Sequence, residues 1–154
     1  MPKRKSTKTI TLKTAKKKEP KTKLGNKKVE IDGILFDSQL ESQYYLELKR
    51  LQKEKKIHHF ECQPEYVLME AFTKNNKKYR KMTYTADFKI YINETDFYLV
   101  DTKGFETEAF KLKEKLFNYI YRDIELKLLN YDTVTCQWLE LKELKKLRKE
   151  RKKK

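Results

Sequence analysis

Charge is spread so unevenly along this chain that it decides which residues can form a core. Residues 1–28 hold twelve Lys or Arg against one acid, and residues 141–154 hold nine against two. Of a formal net charge of +15, the two ends carry +11 and +7, which leaves residues 29–140 at −3. That middle segment is long enough for one domain. Residues 1–28 show no sustained apolar period and read as a disordered basic arm. Residues 141–154 read as the basic end of a C-terminal helix.

Ends of this sign attract a polyanion by releasing its condensed counterions, but they carry no base specificity. Solubilising and membrane-surface roles give the same pattern. No apolar stretch reaches the length of a membrane span, and the Lys-rich start lacks the apolar run of a signal peptide. The expectation is a soluble, cytoplasmic chain with no membrane partner. Cys62 and Cys136 are too few and too far apart for a metal knuckle and read as reduced, buried thiols. His58 and His59 have no Cys or His at zinc-site spacing, so they read as surface or interface residues.

Within the middle segment, Val29–Phe36 reads as a short hairpin turning at Asp32-Gly33. Ser38 then caps a helix running to about Lys55, with Glu41 placed to reach back to the cap amide. Leu40, Tyr44, Leu48 and Leu51 give its buried stripe. Ile57–Met69 reads as extended, with Pro64 at an edge or bulge, and Asn75-Asn76 as a loop before a long strand, Tyr79–Ile92. After a turn at Asn93–Asp96 comes the strand Phe97–Lys103, ended by Gly104. A second helix follows, its apolar face drawn from Phe105, Ala109, Leu112, Leu116, Phe117 and Ile120. Ile124–Leu129 is a fourth strand, and Val134 falls in a short fifth. Trp138, Leu139, Leu141, Leu144 and Leu147 mark a terminal helix. This order predicts an α/β fold in which helices cover one sheet.

The chemistry concentrates at Asp87 and at Asp101-Thr102-Lys103. Side chains alternate along a strand, so Asp101 and Lys103 share a face. A turn centred on residues 94–95 sets Asp87 opposite residue 102, close to Asp101. Carboxylates so placed repel unless a positive charge lies between them, and Mg²⁺ or Mn²⁺ is the hard cation for oxygen ligands. The Thr102 carbonyl would complete the shell. Lys103 would hold the attacking water or a scissile phosphate, while the ion acidifies the water. Plainer readings compete. Asp-x-Lys arises by chance in a Lys-rich chain, and Glu41 is equally explained as a capping acid. Glu94 and Asp96 belong to a turn, and Glu106 and Glu108 to a helix start.

The ordered stretches Val29–Ser38, Glu41 with Tyr44–Leu48, Gln63-Pro64, Tyr84–Phe88, Val100–Gly104 and Thr107–Lys113 are similar to a phage-encoded family. It lies within the Asp…(Asp/Glu)-x-Lys, restriction-endonuclease-like nuclease superfamily, which includes Holliday-junction resolvases. The resemblance covers approximately residues 26–130. It implies a nuclease core with a mixed four-stranded sheet flanked by helices (αβββαβ). It also implies a Mg²⁺-dependent endodeoxyribonuclease acting on branched DNA, working as a homodimer in a phage-infected or prophage-bearing bacterial cell. Glu41, Asp87, Asp101 and Lys103 would be its catalytic residues, with Glu41, Asp87, Asp101 and Thr102 on the metal. The superfamily's frequent proline before the central aspartate is Ala86 here. The alternative is a noncatalytic DNA-binding accessory protein of phage recombination or packaging.

Overall fold

The computed structural model describes residues 27–153. All but the last two positions of the basic arm expected over residues 1–28 lie outside the described residues. The chain opens with a hairpin of β1 (Val29–Ile31) and β2 (Ile34–Phe36). Asp32 (φ 54°) and Gly33 (φ 77°) are both left-handed, the geometry whose twist matches a two-residue hairpin. The Asp32 carboxylate accepts hydrogen bonds from the Tyr45 hydroxyl (2.9 Å) and the Lys49 ammonium (2.5 Å), which fastens the hairpin to α1 (Gln39–Lys53).

Ser38 caps α1 as expected, its hydroxyl accepting the Glu41 N–H at 3.1 Å. The reciprocal bond differs. Glu41 Oε2 accepts from the Asp37 N–H at 3.0 Å, one residue before the cap. Tyr44, Tyr45 and Leu48 are the buried apolar residues of α1, while Leu40 and Leu51 are only half-buried.

The extended segment expected over Ile57–Met69 is broken at Gln63 (φ 55°) and Pro64, dividing β3 (His59–Cys62) from β4 (Glu65–Met69). Asn75 and Asn76, at φ 50° and 59°, are the turn of a hairpin, β5 (Phe72–Lys74) and β6 (Lys77–Tyr79). The single long strand expected up to Ile92 is divided as well. Its pieces are β6, β7 (Met82–Thr85), which pairs with β4, and β8 (Phe88–Tyr91), and the last two part at Ala86-Asp87. The chain continues through β9 (Phe97–Thr102), α2 (Glu108–Ile120), β10 (Leu126–Asp132), β11 (Gln137–Glu140) and α3 (Leu141–Arg151).

The main sheet has five strands, not four, in the order β11-β10-β9-β8-β3; β9 and β10 are parallel and the other pairs antiparallel. The fold is therefore mixed α/β with three helices. Leu99 and Val100 are consecutive on β9 and both fully buried, so this central strand is covered on both faces. On one face Val100, Phe88 and Ile90 pack with Phe36, Tyr44, Tyr45 and Leu48. On the other, Leu99 packs with Leu68, Tyr84, Ala86 and Phe117.

Several expected positions move. Phe117 is the buried residue of α2, whereas Phe105, Leu112 and Ile120 are exposed, because the helix turns its Phe110–Phe117 side to the β4–β7 ribbon. Trp138 and Leu139 belong to β11, and Val134 lies exposed in the preceding turn. Cys136 is exposed and Cys62 half-buried, and both are free. The last helix is held by buried Leu141 and Leu144, by Lys145 on Glu106, and by a two-pronged Arg151–Asp132 pair at 2.9 Å. Among the described residues no helix is long and apolar enough to cross a membrane.

Leu48 is the fully buried anchor of α1, which carries Glu41. Leu48→Ala should cost about 2–5 kcal/mol of unfolding free energy. Urea titration followed by circular dichroism checks this value.

Candidate active site

Three elements end at one cleft of about 1150 Å³, and each delivers a charged residue to it. Glu41 comes from the first turn of α1, Asp87 from the break before β8, and Lys103 from just beyond β9. Asp101 lies directly behind this wall and is only 1% exposed.

The turn before β9 sets the local geometry. Asn93 Oδ1 accepts the N–H groups of Thr95 and Asp96, and Ile92 N–H closes onto Asp96 O at 2.9 Å. The loop thus has three residues centred on Glu94, and Phe88 pairs with Val100. This is one residue away from the register a turn centred on 94–95 would give. Asp87 N–H also donates to Val100 O at 3.1 Å, and there the ladder ends. The Asp87 carboxylate is then free to turn along β9, where Oδ2 accepts both the N–H and the hydroxyl of Thr102 at 2.7 Å. Leu99 N–H donates to Glu125 O, just before β10, and Lys103 N–H to Leu129 O within it. By strand alternation the Thr102 carbonyl therefore turns away from β10, toward the Asp87 side.

Asp101 Oδ2 accepts the Tyr84 hydroxyl at 2.5 Å. Its Oδ1 lies 2.7 Å from Lys103 Nζ, while among the described residues no directed hydrogen bond reaches it. The Lys103 ammonium is what holds that buried oxygen among the described residues. Lys103 is 29% exposed on its side chain, and its ammonium also sits 4.8 Å from the centre of the Phe110 ring. Glu41 is buried, with Oε1 3.3 Å from Gln63 Nε2, whose other partner is Leu35 O at 3.1 Å.

Ionisation reports the crowding. Burial, then the charges of Asp101 and Glu41, hold the Asp87 carboxyl well above the usual carboxylate range, against the pull of Thr102 and Lys103. Burial likewise raises Glu41, opposed by Gln63 and the Asp37 amide, with Asp37 and Asp101 adding to the rise. For Lys103, burial disfavours the charged form, but Asp101 foremost, then Asp87 and Glu41, outweigh it and raise its pKa. The Tyr84 hydroxyl is raised by burial and by the Asp101 charge, and so remains a donor.

The residues singled out from sequence therefore come together: Glu41, Asp87, Thr102 and Lys103 line the cleft, and Asp101 pairs with Lys103. Tyr84 carries no role in the sequence reading; its hydroxyl bonds Asp101, seventeen residues away. Gln63, to which the sequence assigns no role, holds Glu41. His58 and His59 stand at the other end of β8, where His59 stacks on Tyr91 at 4.0 Å. Among the described residues no three Asp, Glu, His or Cys are gathered into a ready ion cage. In kind, the donors are hard oxygens, and two carboxylates with water and phosphate completing the shell is the usual way Mg²⁺ is held. Donors of this type would suit an open divalent-ion site.

A mixed α/β domain with an acid-and-lysine cleft at the end of its central strand is thus the class of protein defined here. The chain matches the family described as "Protein of unknown function (DUF1064)" over residues 21–135 and belongs to it. All of the cleft's charged residues named above fall inside that match. Among curated proteins, none matches the sequence.

A carboxyl whose pKa is raised by folding binds its proton more tightly when folded, so stability falls as pH rises through the window between the two values. The Asp87 penalty is absent below the unfolded value of about 4 and complete above the raised folded value. Asp87→Asn keeps an oxygen for Thr102 and removes the charge. In chelator, it should melt higher than the parent at pH 8, and the gap should close as pH approaches 4. Thermal unfolding across that pH range reads the difference.

Proposed function

We propose that this protein is a metal-dependent endodeoxyribonuclease of the restriction-endonuclease-like kind, acting on branched DNA. The observation that carries the reading is the meeting of a helix acid (Glu41), an acid at a strand break (Asp87) and an Asp-Thr-Lys strand end (Asp101, Lys103) around one cleft. That set has the helix-then-strand order that the resemblance implies. The high net positive charge suits a polyanionic substrate.

Asp87 and Asp101 would hold a Mg²⁺ or Mn²⁺ ion, with Glu41 and the Thr102 carbonyl beside them. When bound, such an ion neutralises charge on the phosphate and makes a water more acidic. The chain's own contributions follow from the contacts. Thr102 fixes the Asp87 carboxylate through two hydrogen bonds, so that it cannot swing out of the cleft wall. Tyr84 orients Asp101 through one hydrogen bond. Lys103, with its pKa raised, stays an ammonium at neutral pH and can hold a phosphate oxygen or the attacking water. It also supplies the positive charge that buried Asp101 requires, 2.7 Å from its Oδ1.

The test is a panel of junction, flap, nicked and linear DNAs incubated with Mg²⁺, Mn²⁺ or chelator. Cleavage of branched DNA with metal and none with chelator is expected. Binding without cleavage under every condition would replace this reading with that of a noncatalytic accessory protein. Asp101→Asn and Lys103→Met should each lower turnover by about 10²-fold or more while DNA binding survives. A Lys103→Met rate equal to wild type would make Lys103 a structural counter-charge only.

Glu41 has both a capping and a site role open to it, and two variants separate them. Glu41→Gln still offers an oxygen to the Asp37 amide, so its melting temperature should stay close to the parent's while cleavage collapses. Ser38→Ala should remain active and lose about 1 kcal/mol of stability. Parallel cleavage and thermal-unfolding measurements check both; an active Glu41→Gln enzyme removes Glu41 from the site.

A further inference from the structure

Residues 69–81 form an unbroken exposed run that contains the β5–β6 hairpin. Within it Lys74, Lys77, Lys78, Arg80 and Lys81 face a single acid, Glu70, in a domain whose residues 29–140 net −3. The hairpin register sets Phe72 across from Tyr79 and Lys74 across from Lys77, so all four share one face. The two rings stack at 4.6 Å and 6°, yet are 43% and 37% exposed, and the Lys77 ammonium lies 5.2 Å from the Tyr79 ring.

This face works against its own folding. Like charges directly opposite one another destabilise a strand pair, and a lone two-stranded hairpin is marginal in water. Lys81 reaches Glu65 at 3.6 Å. Among the described residues no ion pair engages Lys74, Lys77, Lys78 or Arg80. A local rule broken without internal compensation points to an external partner, and its sign makes that partner anionic.

The hairpin's place is informative too. β4 and β7 form a ribbon whose base is the cleft wall at Thr85 and Ala86, and the β5–β6 hairpin is its tip. The ribbon is pinned near its base, where the Tyr121 hydroxyl donates to Val67 O (2.8 Å) and the Lys113 ammonium to Thr83 O (3.1 Å). From Asp87 to Asn76 is eleven residues, at most about 35 Å of strand. One turn of duplex is about the same length.

We propose that the β5–β6 hairpin is a wing that lays its Phe72-Lys74-Lys77-Tyr79 face against the sugar-phosphate backbone of duplex DNA flanking the cleft. Its choice of ligand rests on the nuclease reading. The lysines neutralise phosphates, and the stacked rings supply apolar contact to sugars on the same side.

The experiment uses the full chain, chelator and a fluorescently labelled linear duplex, with anisotropy titrations between about 50 and 200 mM salt. Lys74→Ala/Lys77→Ala should bind more weakly, and its slope of log affinity against log salt should be smaller by about 1.8. Phe72→Ala/Tyr79→Ala should bind more weakly with the slope unchanged. The lysine variant, relieved of its repulsion, should melt no lower than wild type, which separates lost contact from lost fold. Wild-type isotherms for both variants would overturn the proposal, and so would a partner for the hairpin that is an acidic protein surface with no effect on DNA. Cleavage is scored separately: a chain that binds DNA through the hairpin but cuts none retains the wing and loses the nuclease.

Discussion

Carboxylates resist being buried together, since each loses hydration and each makes the other harder to ionise. At the end of β8 and β9 this chain gathers Asp87 and Asp101, with Glu41 facing them from α1, and the surrounding structure is arranged to hold them. Thr102 secures Asp87, Tyr84 and Lys103 secure Asp101, and Gln63 with the Asp37 amide secures Glu41. These partners come from the strand end itself, from the β4–β7 ribbon, from the break after β3 and from the chain before α1. Displacing any of those elements would leave a buried charge without its partner. The raised pKa values of Asp87 and Glu41 show that the compensation is incomplete. Residual electrostatic stress of this kind, localised in a cleft, is characteristic of sites tuned to bind or react.

The position of the cleft follows from the sheet. β9 is sealed on both faces by Leu99 and Val100, and it runs parallel to β10 on one side and antiparallel to β8 on the other. At its carboxyl end β8 has already departed into the β4–β7 ribbon, while β10 continues. The result is a step in the sheet, and strand carboxyl ends beside such a break in topology are where open α/β sheets usually receive ligands. Covering helices on each face then make the step into a cleft.

Features that depend on neighbouring residues were legible in the sequence. Asp32-Gly33 dictated its turn, Ser38 its cap, and Asp101-Thr102-Lys103 its strand end, because each signal and its effect lie within a few positions. Features that depend on counting across a loop were less so. The β8–β9 register moved by one because Asn93 takes two backbone N–H groups and makes a three-residue loop. For α2 the sequence marked Phe117 and Leu116 rightly but added Phe105, Leu112 and Ile120, which stay exposed, because only packing against the β4–β7 ribbon decides how wide the covered side is. Tyr84 stood in a stretch that carries the resemblance, but no pattern gave it a role. It is an ordinary strand aromatic until the fold sets its hydroxyl over Asp101.

The fastening of α3 has an effect that reaches beyond stability. A charged segment on a loose tether averages its field over every orientation, whereas a helix clamped by Leu141, Leu144, Lys145 on Glu106 and Arg151 on Asp132 cannot. Its lysines and arginines are fixed in the domain's own frame, opposite in sign to a body that nets −3. On the nuclease reading, a cluster held in one place would act on a polyanionic substrate from one side of the domain, as a torque before contact. A substrate of that charge would then meet the domain in a preferred orientation.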